Sequence, residues 1–315
     1  MLEYNSIEEC SFRPDDQIVV ALGFFDGIHL AHQRLIEECK KRAKARKGKS
    51  IVFTFQNHPS SVLTPDHPTP LLTPPGLKRR MLQSLGIDGV ISAPFDESLC
   101  HTPAERFVRD VLQKRLCARE LVVGFNFRFG HNREGTTDLL CDLVPSAFEA
   151  VTVIDQMFHD EIPISSSRIR QALSEGSLSD VESLLGHPYV IAGEVIRGDR
   201  RGRRIGVPTA NLQSGEQILP PNGVYGVRVK VDHLDAPPRW GVMNIGNIPT
   251  FTDQTNRTIE VHLLDFEGDV YNRYLMIEII QFIRKERKFG GPAELIAQIH
   301  ADIESFRSNI HLNHP

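Results

Sequence analysis

The chain is poor in cysteine: five in 315 residues, an odd number, scattered and without a Cys-x-x-Cys pair. That spacing speaks against a disulfide framework or a thiolate zinc site, and makes reduced thiols in a cytoplasmic protein the simplest reading. Long apolar runs are missing too. No stretch approaches the roughly 18 apolar residues of a membrane span. The opening MLEYNSIEEC is acidic and polar, unlike a signal peptide. A dominant sign of charge is missing as well, with 36 Lys and Arg against 40 Asp and Glu, and the net charge of −4 argues against an overall nucleic-acid-binding character. There is one tryptophan, no internal repeat and no low-complexity tract. The remainder, 40% hydrophobic and 24% charged, is ordinary for a globular protein. At roughly 100–200 residues per domain, the length suits two domains.

Apolar runs and helical patterns alternate through the first half. IVVALG precedes a helix over Leu30–Arg46, and SIVFTF follows it. Then come a helix near Leu77–Leu85, DGVISA, a helix near Pro103–Leu116, ELVVGF and EAVTVI. This grammar predicts an open, parallel α/β sheet with crossover helices. Such sheets bind ligands beyond the carboxyl ends of their strands. GFFDG, TFQNHP and GFNFRFG all fall there. After Gly186 the pattern changes to short strands separated by Gly, Pro, Asn and Asp turns, which predicts a small antiparallel β-barrel. A helix over Pro292–Asn309 follows, with Leu295, Ile299, Ile303 and Phe306 at helical spacing. The expected domains are 1–186 and 187–315.

At a strand-to-helix turn, glycines let backbone approach a phosphate, and the first helical N–H groups point at it. Gly23 and Gly27 suit that need. His29 and His32 are three apart, so they share a helix face and can address one bound group. Two imidazoles donating to phosphate oxygens would stabilise charge that builds during attack on an α-phosphate. Further on, ISSSRIR opens a helix with three hydroxyls and two arginines. One serine suffices for a cap. The rest can grip departing phosphates, with arginine supplying charge-assisted hydrogen bonds. In the second half, Thr209 and Asn211 of VPTANL offer two neutral oxygens, modest ligands for Mg²⁺. Glu260, in an otherwise apolar strand, can accept the proton of an attacking alcohol where geometry suits. Taken alone, it also reads as an outward-facing strand residue. His262, assigned to the opposite face of that strand, receives no catalytic part. Trp240 reads as a packing residue, and the basic run Lys40–Lys49 as a solvated helix end.

GFFDGIHLAHQ with ISSSRIR resembles the nucleotidylyltransferase superfamily that carries His-x-Gly-His and a Ser/Thr-rich helix start. With TFQNHP and VVGFNFRFG, the first half closely resembles the adenylyltransferase domain of bacterial bifunctional FAD synthetases. The family pattern Gly-x-Phe-Asp-Gly-x-His-x-Gly-His is matched by Gly23, Phe25, Asp26, Gly27, His29 and His32, while Ala31 departs from it. His58 and Pro59 match Phe-Asp-Pro-His-Pro, while Gln56 and Asn57 depart. The resemblance implies a Rossmann-like fold in which Gly23, Phe24, Phe25, Asp26, Gly27, His58, Asn126, Ser165, Ser166, Ser167 and Arg168 bind ATP or FMN. It makes His29, His32 and Arg170 catalytic.

The second half resembles the same family's riboflavin kinase domain. Gly202, Arg203, Gly206, Pro208, Thr209, Ala210 and Asn211 match its Gly-Arg-x-x-Gly-Phe-Pro-Thr-Ala-Asn, with Val207 in place of Phe. GVYGVRV, GVMNIGNIPTF, IEVHLLDF and RKERKFGGPAELIAQIHADI follow in family order; DVYNRYL carries Asn272 where members usually have glycine. This likeness implies that Gly202, Arg203, Gly206, Pro208 and Asn244 bind ATP or flavin, that Thr209 and Asn211 hold Mg²⁺, and that Glu260 is the base. The expected activity is phosphorylation of riboflavin to FMN, then adenylylation of FMN to FAD with release of pyrophosphate. The expected partners are small molecules (ATP, riboflavin, FMN), with no nucleic acid and no membrane. The sequence leaves the oligomeric state open, with a monomer as one option. Two other readings stay open: a riboflavin kinase whose adenylyltransferase domain has drifted, and a non-enzymatic nucleic-acid-binding protein.

Overall fold

The computed structural model describes residues 1–144, 146–197, 206–247 and 257–313; Gly202 and Arg203 lie outside them. The chain divides into two compact units, Met1–Arg168 and Ile169–Pro315.

The first unit is built on six strands: β1 (Leu2–Tyr4), β2 (Ile18–Leu22), β3 (Ser50–Phe55), β4 (Gly89–Ala93), β5 (Ala118–Gly124) and β6 (Ala150–Ile154). They form one sheet in the order β1-β4-β3-β2-β5-β6, with every pair parallel. Every residue of β2 is buried, and successive side chains sort to opposite faces. Ile18, Val20 and Leu22 join Phe107, Val108, Leu112 and Leu116 on one face. Val19 and Ala21 join Leu35, Ile36, Cys39 and Ala43 on the other. Those last four form the buried stripe of the helix Leu30–Ala45. A sheet covered on both faces needs such continuous apolar strands. Burying each large aliphatic side chain contributes roughly 1.5–3 kcal/mol.

The segment Phe107–Arg115 winds as a π-helix. A short hairpin, β7 (Phe158–His159) with β8 (Ile162–Pro163), turns through Asp160 and Glu161, both at positive φ. In the basic run, Arg42 reaches Glu120 at 3.1 Å and Arg46 reaches it at 2.7 Å, while Lys49 bonds Asp16 at 2.6 Å. These cations tie the helix end to neighbouring strands and loops.

The second unit closes six strands into an antiparallel barrel: β9 (Val190–Ile196), β10 (Ala210–Gln213), β11 (Gly223–Val231), β12 (Arg239–Asn247), β13 (Arg257–Leu263) and β14 (Tyr274–Arg284). The order is β10-β13-β12-β11-β14-β9, and β9 pairs with β10 to complete the circuit. The helix Pro292–Asn313 lays Ile303, Phe306 and Ile310 against Val224, Val242, Leu264 and Trp240. Trp240 meets the Phe306 ring edge-on at 5.8 Å. A Cβ at Gly226 would come within 2.2 Å of the Phe306 ring, so only glycine permits this seat.

Candidate active sites

In the first unit, strand order reverses between β2 and β5, which opens a crevice at their carboxyl ends. The turn leaving β2 lies there and is bent: Phe25 and Ile28 have φ of 53° and 44°, and Gly27 has 87°. Side chains rarely adopt that region unless their surroundings enforce it. Phe25 is fully buried, and so is Asp26 at 1% exposure. The Asp26 carboxylate accepts from the amides of Leu72 at 3.0 Å and Thr73 at 2.9 Å. Thr73 Oγ1 accepts from Gly27 N at 3.0 Å, and Ser166 Oγ donates to Asp26 O at 2.9 Å. Phe25 and Asp26 thus shape the turn from within. Gly23 closes against Phe25, whose ring would lie 3.1 Å from a Cβ there.

His29 caps the helix that follows: its Nδ1 accepts from His32 N at 3.3 Å. A ring nitrogen that accepts holds no proton, so neutral His29 carries its proton on Nε2. The two imidazoles stack with centroids 3.6 Å apart and planes 13° from parallel. Burial pushes His29 down to about 4. Burial also holds His32 well below its usual range, aided by the positive fields of His29 and Lys78. His32 Nδ1 is buried with no hydrogen-bond partner. At neutral pH both rings are therefore uncharged donors at a helix N-terminus, where partial positive charge favours an anion.

The neighbouring turns complete the edge. His58 Nδ1 accepts from Ser60 N at 3.0 Å, and its ring meets Phe24 edge-on at 4.9 Å. Gln56 donates to Asn5 O and Ser92 O, and Asn57 bonds the Phe95 backbone through both ends of its amide. Both departures from the family pattern clasp the turn to adjoining strands and loops. Asn126 is exposed just past β5. Of the three serines, Ser165 receives Arg168 N at 3.3 Å as a cap, Ser166 braces Asp26, and Ser167 is exposed. Arg168 Nη1 donates to His159 O at 3.3 Å and Ile162 O at 3.2 Å, pinning the hairpin. Arg170 lies past the boundary of the first unit, three residues beyond Ser167 on the same helix. One residue escaped sequence reasoning: Lys78, only 2% exposed, whose Nζ donates to Phe24 O at 2.8 Å and Phe55 O at 3.0 Å.

In the barrel, register aligns the expected kinase residues. Glu260 stands opposite Asn211 on one side and Asn244 on the other. Directly opposed residues have Cβ atoms roughly 4.5–5.5 Å apart and share a face. Ile259, Val261 and Leu263 are buried, whereas Thr258, Glu260 and His262 alternate with them and are half-buried. Asn211, Glu260 and Asn244 thus form a polar row on the outer side of the barrel. His262 requires a correction: residues two apart on a strand face the same way, so it shares Glu260's face. Its Nδ1 lies 2.8 Å from Pro208 O. Thr209 and Pro208 line a cleft with Val195, Phe266, Asp269 and Tyr271. Gly206 has φ of 81°, and no atom of the described residues lies within 4 Å of where its Cβ would stand.

Residues 12–168 match the family described as FAD synthetase, and residues 185–310 match the one described as riboflavin kinase. The bifunctional riboflavin kinase/FMN adenylyltransferase of Escherichia coli is 36% identical over 98% of each chain. Its namesake from Listeria monocytogenes is 38% identical over 92% of this chain and 91% of its own. A crystal structure from Streptococcus pneumoniae, named there a macrolide-efflux protein, matches with a TM-score of 0.81 and 30% identity, covering 97% of this chain and 98% of that one. Among the described residues here, no helix is long and apolar enough to cross a membrane. Matched in both halves and along nearly its whole length, the chain belongs to the bifunctional riboflavin kinase/FMN adenylyltransferase family.

Proposed function

We infer that this chain converts riboflavin to FMN in its second unit and FMN to FAD in its first, using one ATP for each step. The observation that carries the reading is the pair of stacked, uncharged imidazoles capping a helix at the carboxyl edge of the parallel sheet. That pair supplies donors where an α-phosphate needs them. The FMN phosphate attacks the α-phosphorus of ATP, and the bond to the β-phosphate oxygen breaks, releasing pyrophosphate. His29 Nε2–H and His32 donate to the oxygens on which charge accumulates. Ser167, Arg170 and the first helical N–H groups hold the departing pyrophosphate. Gly23, Phe24, Gly27, His58 and Asn126 face the nucleotides, while Phe25, Asp26, Ser165, Ser166 and Arg168 hold the framework.

In the barrel, Glu260 takes the proton of the flavin 5′-hydroxyl as that oxygen bonds the γ-phosphorus and ADP departs. Asn244 orients the base from the adjoining strand. ATP lies in the cleft bordered by Pro208 and Thr209, with Gly206 beside it; Gly202 and Arg203 keep the ATP-binding part that the family likeness implies. Thr209 Oγ1 and Asn211 Oδ1 are hard, neutral oxygens that would hold Mg²⁺, an ion that prefers such donors and keeps several waters. Bound there, it would neutralise phosphate charge. The functional division falls at 186/187.

We place the protein in the cytoplasm, in keeping with five free cysteines. Small molecules are its partners rather than nucleic acid, in keeping with the ion pairs that engage Lys40, Arg42 and Arg46 of the basic run with Glu37, Glu38, Glu120 and Glu149. A time course with riboflavin, ATP and Mg²⁺ tests the reading: FMN should rise first and FAD follow. Product that stops at FMN would reduce the chain to a kinase. Salt-sensitive RNA binding without ATP turnover would overturn both activities.

A further inference from the structure

Lys78 sits on the helix Pro75–Ser84, far in sequence from every motif at the nucleotide edge, yet its ammonium ends among them. Besides the carbonyls of Phe24 and Phe55, Nζ reaches Thr54 Oγ1 at 3.4 Å and stands 4.1 Å from the centroid of the Phe24 ring. Phe24 belongs to the turn that leaves β2, and Phe55 ends β3. The same Phe24 carbonyl also accepts from Thr54 Oγ1 at 2.8 Å. One buried side chain therefore cross-links the two turns that present His29, His32 and His58. The preceding residues Leu72 and Thr73 fasten Asp26 and Gly27 of the first turn.

The charge matters as much as the bonds. No carboxylate among the described residues forms an ion pair with Lys78 at contact distance; its partners are carbonyls, a hydroxyl and an aromatic face. A buried cation without a paired anion is costly, and a polyanionic ligand nearby offsets that cost. Burial draws the ammonium down from 10.5 to about 8, with Asp26 opposing the fall. The titratable groups around it are Asp26 on the first turn, His29 and His32 at the helix start, and His58 beyond β3. Both helix-start histidines are already neutral well below that range.

We propose that Lys78 is a positioning residue of the adenylyl-transfer site, locking the two turns together and presenting a buried positive charge to the triphosphate of ATP. This rests on assigning adenylyl transfer to the His29–His32 turn. Because the anion favours the protonated lysine, ATP binding and proton retention at Lys78 reinforce each other. The lysine does not touch the reacting atoms; it acts through the turns and through its field.

The test uses the full chain, supplied FMN, fixed Mg²⁺ and varied ATP, with the KM for ATP measured from neutral pH to beyond the lysine's titration. In the wild type, KM should rise about tenfold as the charge is lost, the size expected for one charge at several ångströms in a medium of intermediate polarity. Lys78→Met should start near the higher KM and stay flat with pH, with kcat changed less than KM. Lys78→Arg, which keeps its charge throughout, should stay flat near the lower KM. A wild-type KM that does not move with pH overturns the proposal, and so does a Lys78→Met profile parallel to wild type. Riboflavin phosphorylation by each preparation reports an intact protein. If the wild type phosphorylates riboflavin but makes no FAD, the site assignment itself has failed, which is a separate result.

Discussion

Replacing His29 by asparagine should remove an acid sensitivity from the first unit. Nδ1 of His29 is the atom that accepts from His32 N, so protonating it breaks the helix cap as well as charging a buried ring. Burial sets the folded value at about 4 against 6.5 for a free imidazole. The folded value is the lower one, so between them the unfolded chain binds the proton and the folded chain refuses it. Stability from this group is therefore complete above 6.5 and declines as pH falls toward 4. At about 1.36 kcal/mol for each pH unit, the full window corresponds to about 3 kcal/mol. About 2 kcal/mol of it should be gone near pH 5. Asparagine is among the best N-cap residues, so His29→Asn keeps the cap and discards the titration. Urea denaturation by far-UV circular dichroism, at neutral pH and near pH 5, measures both proteins. Trp240, the single tryptophan, follows the barrel separately. His32 is present in both, and the main cause of its depression, its own burial, is common to them. If acidification costs the two proteins the same within about 0.5 kcal/mol, the account of His29 is wrong.

Glu260→Gln should lower FMN formation from riboflavin by about 10²–10⁴-fold, the usual worth of a general base, while FAD formation from supplied FMN persists. A kinase rate near wild type would remove Glu260 from the base role. His32→Ala should do the reverse, lowering adenylylation by about 10²–10³-fold with kinase activity intact; FAD made at the normal rate alongside failed FMN synthesis would exchange the two units' roles. Ala31, half-buried in the first helical turn, puts a methyl group where the family has bare backbone. Ala31→Gly should lower the KM for ATP in FAD synthesis several-fold and leave the kinase alone, at a cost of about 1 kcal/mol in helix stability. An unchanged KM would show that the methyl is harmless.

The parallel sheet and the barrel were legible because fully buried strands must be apolar throughout and barrel strands must be punctuated by turns. The helix over Leu30–Ala45 was legible from its spacing. What escaped was held by contacts remote in sequence. Strand β1 is three residues, two of them exposed, and leaves no periodic trace. Strand β10, four residues long, is missing from the strand runs the sequence shows, because only pairing with β9 and β13 makes it a strand. The π-winding of Phe107–Arg115 buries nearly the same residues an α-helix would, so periodicity cannot separate them. At the nucleotide edge, residue types were readable but their division of labour was not. Asp26 and Ser166 read as ligands in sequence, and the structure also gives them bonds to Leu72, Thr73 and the turn itself that no local pattern announces. Lys78 looks like one more surface cation in LKRR, since nothing local announces that it is buried.

The alignment of Asn211, Glu260 and Asn244 across three strands governs where this barrel tolerates change in length. Because side chains alternate with a period of two, inserting or deleting one residue inside β12 or β13 would turn Glu260 or its neighbour inward and push a valine or isoleucine out. A barrel without free edges cannot relieve the slip by sliding a terminal strand. Length variation among descendants of this sequence should therefore collect in the turns, and substitution rather than insertion should be the route by which the Asn211–Glu260–Asn244 side of the barrel acquires new chemistry.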